Sequence, residues 1–265
     1  MKEDFILKTG MFPYYISPLL EKNRVMHLFT TRHGGISKGC FESLNFAIGQ
    51  GSEQDSSENV SYHHSLASKQ LGLTEDHIVR AWQLHTSVVE RADASNCGVP
   101  YNRGVDGLVS NTEDIILSVR TADCVPILLY DKNNGTCGAV HAGWRGTKDE
   151  IIVKAVKKMM SDFGSSAENI IAAIGPCARE CCYEVQPDFK SNFGSRYSDC
   201  FTSREDKLFF STAEANIIQL LDAGIPDENI SDCGICTCCS DEFYSHRRQG
   251  INRGSLAAFI RTAKF

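Results

Sequence analysis

The chain has 265 residues, of which 42% are hydrophobic and 23% are charged, an ordinary composition for a globular protein in water. Its net charge of −6 argues against a nucleic-acid partner, because nucleic-acid-binding proteins normally carry a basic stripe. The N-terminal residues show no secretory signal, and no apolar run is long enough to cross a bilayer. We therefore expect a cytoplasmic protein with no membrane partner.

Short apolar segments alternate with turn residues along the chain, without an internal repeat or a linker-like stretch. Apolar runs and alternation predict strands at residues 25–32, 78–84, 87–91, 107–110, 115–120, 126–131, 137–141, 170–174 and 256–261. Helical periodicity predicts one helix over residues 57–72. Two capping-box patterns, Thr147 with Glu150 and Ser211 with Glu214, predict the starts of two more helices. Clustered strands favour an α+β fold over a strict βαβ repeat, and we predict one domain over residues 1–265.

The chain contains 12 cysteines, which in a reducing compartment are typical of buried small side chains, metal ligands or nucleophiles. Seven of them fall in two short runs: Cys177, Cys181, Cys182, Cys233, Cys236, Cys238 and Cys239. The C-x-x-C pair Cys233 and Cys236, with the adjacent cysteines, matches a second zinc site or an iron–sulfur cluster. One hypothesis is therefore a cysteine-rich metal or redox module, and ordinary buried thiols are the alternative.

Another group of candidate residues lies where predicted strands end. Cys124 follows Asp123 between two apolar strands, His141 ends a strand before a glycine-rich loop, and His85 follows Gln83 at the end of another strand. One thiolate and two imidazoles form a three-ligand set suited to zinc, with a fourth position open to water. Considered alone, each of these three residues is also explained as a buried structural side chain that binds no ligand.

The glycine-rich loop after His141 has the features of an anion site. Two glycines allow close approach of the backbone, and Arg145 adds a charged donor. The positive end of the helix predicted to begin at Thr147 favours negative charge as well. A plain turn with an arginine on the surface is the alternative interpretation.

The same residues also support a metal-free hypothesis. Cys124 could act as a nucleophile with His141 as its base, as in a cysteine hydrolase acting on amides or peptidoglycan precursors. A thiolate bound to zinc is a poor nucleophile, so metal content and alkylation of Cys124 distinguish the two hypotheses.

Residues 121–126 (TADCVP) and 141–146 (HAGWRG) resemble the two signatures of the YfiH-like family, also called the laccase-domain or polyphenol oxidase family. Further similar motifs run along nearly the whole chain, among them residues 83–85 (QLH), 106–109 (DGLV) and 244–248 (YSHRR). The resemblance implies a single-domain α-β-β-α layered sandwich. It also implies that His85, Cys124 and His141 hold one Zn²⁺ per chain, with Cu²⁺ as a second candidate.

The resemblance further implies an enzyme with purine nucleosides and phosphate as its partners. The expected reactions are phosphorolysis of adenosine, inosine, guanosine and S-methyl-5'-thioadenosine, and hydrolytic deamination of adenosine. Catalytic roles fall to Cys124, His141 and Asp123. Contacts with substrate are expected from Arg32, Asn45, Gln83 and Arg145.

Two further expectations come from comparing the chain with the family pattern. The family usually has a glycine after the first ligand histidine, and here the residue is Thr86, which we expect to narrow the mouth of the pocket. The 8 histidines are too few for a multicopper oxidase, so we expect one mononuclear site and no additional copper cluster. A monomer is compatible with all of these expectations.

Overall fold

The computed structural model describes residues 4–262, apart from the side chains of Pro100 and Asn102. Two large sheets pack face to face, and helices cover their outer surfaces. The predicted α+β class and the α-β-β-α layered sandwich are therefore confirmed. Among the described residues, none of the helices combines the length and the apolarity needed to span a bilayer.

The secondary structure follows the chain with short connections. The strands are β1 (Ile6–Thr9), β2 (Pro13–Ile16), β3 (His27–Thr30), β4 (Ile78–Trp82), β5 (Val89–Arg91), β6 (Pro100–Arg103), β7 (Gly107–Ser110), β8 (Ile116–Thr121), β9 (Val125–Asp131), β10 (Cys137–Ala142), β11 (Ile170–Ile174), β12 (Glu184–Val185), β13 (Phe201–Arg204), β14 (Lys207–Phe210), β15 (Ile230–Asp232) and β16 (Leu256–Arg261). The α-helices are α1 (Pro18–Lys22), α2 (Ser57–Gln70), α3 (Trp144–Lys148), α4 (Ile151–Phe163), α5 (Thr212–Asp222) and α6 (His246–Gln249). Short 3-10 helices lie at Gly39–Phe41, Glu75–His77, Ala94–Asn96, Ala167–Asn169, Pro187–Asn192, Ser195–Cys200 and Asp227–Asn229.

The strands form two large sheets and a small one. The first sheet has the order β1-β2-β3-β16-β8-β4-β6, and the second has the order β15-β11-β9-β10-β7-β5. A small third sheet has the order β12-β14-β13. The chain passes from the first large sheet to the second between β8 and β9, so the residues at this crossing lie where both sheets meet.

Strand β9 shows how the layers are held together. Leu128 faces the core between the two sheets, whereas Ile127 and Leu129 face the core beneath α4 and α5. Successive side chains of a strand point to opposite faces, and both faces of β9 are covered, which explains its continuous apolar run. On the other side of the molecule, Ala67 and Leu71 pack α2 and its C-terminal cap against the first sheet.

The two predicted helix starts have different outcomes. Ser211 caps α5, because its hydroxyl accepts a hydrogen bond from the N–H of Glu214 at 3.2 Å, so that prediction is confirmed. The prediction at Thr147 is wrong. Thr147 lies buried inside α3, and the longer helix α4 begins only at Ile151, after Glu150 in a left-handed conformation with φ of 58°.

Candidate active site

His85, Cys124 and His141 come together where the two large sheets meet. His85 follows β4 of the first sheet, Cys124 lies at the crossing between β8 and β9, and His141 belongs to β10 of the second sheet. One donor atom from each residue lies within 4.8 Å of the other two. The centres of the two imidazole rings are 4.9 Å apart, and the ring planes are nearly perpendicular. The three side chains can therefore share one ion.

Asp106, which immediately precedes β7, orients two of these three residues. Its Oδ1 lies 2.7 Å from Nδ1 of His141 and accepts the main-chain N–H of His85 at 3.0 Å. Its Oδ2 accepts the N–H groups of Leu84 at 3.1 Å and Thr86 at 2.9 Å. Because Nδ1 of His141 is engaged by the carboxylate, its Nε2 is left available as a ligand atom.

The backbone around the three side chains adopts uncommon conformations. His85 and Asp123 have φ values of 60° and 90°, in the left-handed region that non-glycine residues rarely occupy. At Gly143, an added Cβ would lie 3.0 Å from Cδ2 of His85 and 3.2 Å from Sγ of Cys124. A glycine at residue 143 therefore lets His85 and Cys124 lie close to the backbone without crowding.

Charge is strongly coupled within the group. Burial by itself raises the pKa of the Cys124 thiol, but His141 and His85 beside it lower that pKa to about 6. Burial lowers the pKa of His141, but the Cys124 thiolate and the Asp106 carboxylate raise it to about 9. Burial also opposes ionisation of Asp106, but its contacts with His141 and Thr86 lower its pKa to about 2. Without a metal ion, the site is thus a thiolate–imidazolium–carboxylate array near neutral pH.

Two cavities of about 320 and 330 Å³ adjoin at His85 and Cys124. The first cavity has an apolar rim, because Ile48, Trp82 and Leu84 are 45%, 46% and 46% exposed. The second cavity is basic and is lined by side chains that include Arg145, Tyr183, His246, Arg247 and Arg253. Arg253 lines both cavities. The pair therefore offers an exposed apolar rim at the first cavity, arginine side chains at both cavities, and the three-residue group where the cavities adjoin.

Two of the four expected substrate contacts line these cavities. Gln83 lies in the wall of the first cavity, where its amide exchanges hydrogen bonds of 2.7 and 2.8 Å with the backbone of Arg120. Arg145 is exposed at the second cavity, with its guanidinium 4.6 Å from the centre of the Trp144 ring. Gln83 therefore joins the loop of His85 to β8, and the Arg145 guanidinium has no ion pair with any residue of the part of the chain that the structure describes.

The other two expected contacts lie outside both cavity walls. Arg32 donates to the carbonyl of Glu42 at 2.8 and 2.6 Å. Asn45 is fully buried; its amide oxygen accepts the N–H groups of Ala47 at 3.1 Å and Ser255 at 2.8 Å. Ala47 and Ser255 both line the first cavity. Asn45 therefore positions two residues of the cavity wall and does not itself line the cavity.

Asp123 and Thr86 have contacts that their sequence positions do not reveal. The carboxylate of Asp123 accepts the Thr237 hydroxyl and the Arg247 N–H, both at 2.7 Å, so both of its oxygens are engaged, one of them by a residue that lines the second cavity. The hydroxyl of Thr86 donates to the Gly104 carbonyl at 2.6 Å. Thr86 lines neither cavity, so the expectation that it narrows the pocket mouth is wrong.

Two residues of this site were not assigned a role from sequence. Asp106 stood out only as part of the motif at residues 106–109. Arg253 carries no sequence signal; it is half-buried in the loop before β16, and within residues 4–262 its Nε has no hydrogen-bond partner. Because this half-buried guanidinium lines both cavities, it is a candidate anion ligand.

The fold and the site together define a class of protein: a layered α-β-β-α sandwich with a Cys–His–His group at the junction of its sheets. The family model described as multi-copper polyphenol oxidoreductase laccase matches residues 26–263. The chain belongs to this family.

Similar proteins support the same grouping. A purine nucleoside phosphorylase of Bacteroides thetaiotaomicron is 32% identical over 250 residues, covering 90% of this chain and 92% of the relative. A purine nucleoside phosphorylase of Deinococcus radiodurans is 35% identical over 239 residues, covering 89% of this chain and 88% of the relative. The crystal structure of the Bacillus licheniformis hypothetical protein YfiH superposes with a TM-score of 0.89 at 28% identity, covering 98% of this chain and 99% of that one.

Proposed function

We propose that this protein is a metal-dependent purine nucleoside phosphorylase that also deaminates adenosine. The observation that carries the proposal is the three-residue group at the junction of a cavity with an apolar rim and a cavity lined by three arginines. Purine bases are flat and apolar on their faces, whereas phosphate is an anion, so one substrate pair needs both kinds of surface. The names of the relatives from Bacteroides and Deinococcus support the same reaction.

The residues of the site fit a metal ion. One thiolate and two imidazoles are suited to zinc, and the glycine at residue 143 leaves free space between them. We propose one Zn²⁺ at this site, with Cu²⁺ as the second candidate, held by Cys124 Sγ and by one ring nitrogen of each of His85 and His141. When bound, such an ion would supply Lewis-acid chemistry and lower the pKa of a water molecule to about 7.

The cavity walls suggest how the substrates are held. Ile48, Trp82 and Leu84 present apolar surface on which a purine ring would stack, and they offer no group that selects among adenosine, inosine, guanosine and S-methyl-5'-thioadenosine. Arg145 and Arg253 would bind phosphate from the second cavity through charge-assisted hydrogen bonds. The two substrates would then meet beside Cys124 and His85, where the cavities adjoin.

The remaining assignments follow from the contacts of individual residues. We expected a catalytic role for Asp123, but both of its oxygens are engaged by Thr237 and Arg247, so we give it a positioning role. We treat residues 1–265 as one catalytic domain, because both large sheets contribute to the site. The cytoplasm remains our proposed location, since the cysteines of the described chain are free thiols.

Metal analysis combined with a nucleoside panel tests this function. We expect the purified protein to convert inosine and phosphate to hypoxanthine and ribose 1-phosphate, and adenosine without phosphate to inosine. Replacing Cys124→Ala should remove the ion and both activities, whereas Cys40→Ala, a free thiol outside both cavities, should leave them unchanged. Full metal content and activity in Cys124→Ala would disprove the ligand assignment, and absence of nucleoside turnover with the metal bound would disprove the function.

The charge coupling within the site favours a second candidate, a metal-free cysteine hydrolase. Cys124, His141 and Asp106 are arranged in space as a nucleophile, its base and an acid that orients the base. Such an enzyme would be irreversibly inactivated by alkylation of Cys124 and would be insensitive to chelators. The proposed phosphorylase should show the opposite behaviour, with chelators abolishing activity and the bound ion protecting Cys124 from alkylation.

A further inference from the structure

A second group of metal-ligating side chains lies outside the site described above. Cys181, Cys182, Cys236 and Cys239 place their sulfur atoms within 4.8 Å of one another. The Sγ atom of Cys239 is 3.4 Å from that of Cys181 and 3.3 Å from that of Cys182. A disulfide requires a sulfur–sulfur distance of about 2.0 Å, and all four cysteines are free thiols.

We infer that these four thiolates bind one zinc ion in a tetrahedral structural site, which we call the four-cysteine site. Zinc–sulfur bonds of about 2.3 Å in tetrahedral geometry place the sulfurs about 3.8 Å apart, so the observed group closes on a single ion with small side-chain adjustments. A cluster of several iron atoms would need the sulfurs to be spread more widely. Four protein ligands leave no open position, which is the mark of a structural rather than a catalytic zinc site.

The surrounding backbone is arranged as a support for such an ion. The N–H of Arg179 donates to Sγ of Cys236 at 3.5 Å, and hydrogen bonds of this kind stabilise a thiolate ligand. The guanidinium of Arg248 donates to the carbonyls of Thr237, Cys238 and Ser240 at 2.8, 2.9 and 2.9 Å. Arg248 thereby fixes the shape of the loop that carries two ligands and places a positive charge beside a site with four thiolates.

The four-cysteine site joins two loops that follow neighbouring strands. Cys181 and Cys182 lie beyond β11, and Cys236 and Cys239 lie beyond β15, which pairs with β11 in parallel. Backbone hydrogen bonds of 3.3 and 3.0 Å between Cys177 and residues 235 and 237 continue this pairing into the loops. A zinc ion would complete the connection at the point where the backbone pairing ends.

The loop that carries Cys181 and Cys182 forms part of one wall of the second cavity, next to α6. Tyr183 directly follows Cys182, and the guanidinium of Arg247 lies 4.5 Å from the centre of its ring. Both side chains line the second cavity. The four-cysteine site therefore positions this wall without contacting the cavity, and the inference stands whether or not the proposed nucleoside chemistry is correct.

The sequence alone indicated a different pair of ligands. The C-x-x-C pair in the structure is Cys236 with Cys239, not Cys233 with Cys236. Cys233 packs against the core between the large sheets and lies 3.8 Å from the guanidinium of Arg179. Cys233 therefore provides a matched control, because it belongs to the same segment but lies outside the group.

Metal analysis of purified variants tests the inference. We expect Cys181→Ser/Cys239→Ser to lose about one equivalent of zinc per chain relative to the wild type and to keep the ion bound by Cys124. Cys233→Ser should keep the wild-type zinc content, and Cys124→Ala should keep the zinc of the four-cysteine site. Unchanged zinc in the double variant, or iron in place of zinc in the wild type, would overturn the inference.

A measurement on the wild-type protein covers the case in which the double variant fails to fold. Cys181 and Cys239 are exposed, so as free thiols they would react with iodoacetamide within the native protein. We expect mass spectrometry of peptides to show both cysteines protected until a strong chelator is added, while Cys233 behaves identically with and without chelator. Immediate alkylation without chelator, or a disulfide-linked peptide from reduced protein, would overturn the inference.

Discussion

Nδ1 of His141 lies 2.7 Å from Oδ1 of Asp106, and the two side chains are only 3% and 0% exposed. The same carboxylate oxygen accepts the main-chain N–H of His85. One buried acid therefore fixes the ring of His141 on the second sheet and the loop of His85, which follows a strand of the first sheet. Asp106 therefore fixes the position of His85 relative to His141, although the two residues are carried by different sheets.

The first prediction concerns this carboxylate. Asp106→Asn should weaken metal binding about 10- to 100-fold, because an amide holds the His141 ring less well and lowers its basicity. Competition with a chelator measures the affinity. Asp131→Asn is the matched control, since Asp131 is also buried but caps a distant turn through Asn133. Equal metal affinity in wild type and Asp106→Asn would contradict the proposed orienting role.

The second prediction is that metal binding releases protons. Between pH values of about 6 and 9, the pKa shifts leave Cys124 as a thiolate and His141 protonated in the metal-free site. A ligand imidazole must be neutral, so each ion should displace about one proton from His141. The affinity should rise about tenfold per pH unit in this window and level off above the pKa of His141. Calorimetry at pH 7.5 in buffers with different ionisation enthalpies measures the release, and no buffer dependence would contradict the prediction.

The third prediction concerns the lack of a side chain at Gly143, next to His85 and Cys124. Gly143→Ala places a methyl group 3.0 Å from the ring of His85 and 3.2 Å from the sulfur of Cys124. Crowding of this kind costs about 1–3 kcal/mol, so metal affinity should fall by about five- to 150-fold. Gly194→Ala is the control, since an added Cβ at residue 194 meets nothing within 4 Å. If Gly143→Ala binds metal as the wild type does, the ion does not lie among these three residues.

The fourth prediction separates the two proposed reactions. Arg145→Ala should reduce phosphorolysis of inosine about ten- to a hundredfold more than deamination of adenosine, because a charged hydrogen bond is worth about 1.5–3 kcal/mol and only phosphorolysis uses phosphate. Lys148→Ala is the matched control: Lys148 is an exposed cation on the same short helix, but it contacts Asn192 and lies outside the second cavity. Steady-state kinetics with both substrates measures the difference, and equal loss of the two activities would make Arg145 a structural residue.

Much of the fold could be predicted from local sequence. Residues 126–131, 137–141 and 170–174 belong to strands buried on both faces, so their continuous apolar runs identify them without knowledge of the pairing. The strands at Ile6–Thr9, Pro13–Ile16 and Pro100–Arg103 were not predicted, and neither were those at Glu184–Val185, Phe201–Arg204, Lys207–Phe210 and Ile230–Asp232. The strand at Ile6–Thr9 is short, largely exposed and at one edge of its sheet, the strand at Pro13–Ile16 is short and mostly half-buried, and the strand at Pro100–Arg103 pairs only with β4 at the opposite edge. Edge strands gain less from burial, so their sequences carry weaker patterns.

The sequence by itself determined the class of the fold and, through the motifs around His85, Cys124 and His141, the members of the candidate site. Only the tertiary structure decided how they are held. Thr147 matches a helix-capping pattern, but Asn216 and Gln219 of α5 bond to its side chain and carbonyl and keep it buried.

The role of Asp106, the left-handed turn at His85 and the choice of Cys239 over Cys233 were likewise decided in three dimensions. Each depends on groups that are distant in sequence and that become neighbours only when the two sheets pair and stack. A local pattern specifies which conformations a segment prefers, whereas hydrogen bonds and burial with distant partners decide which of these it adopts.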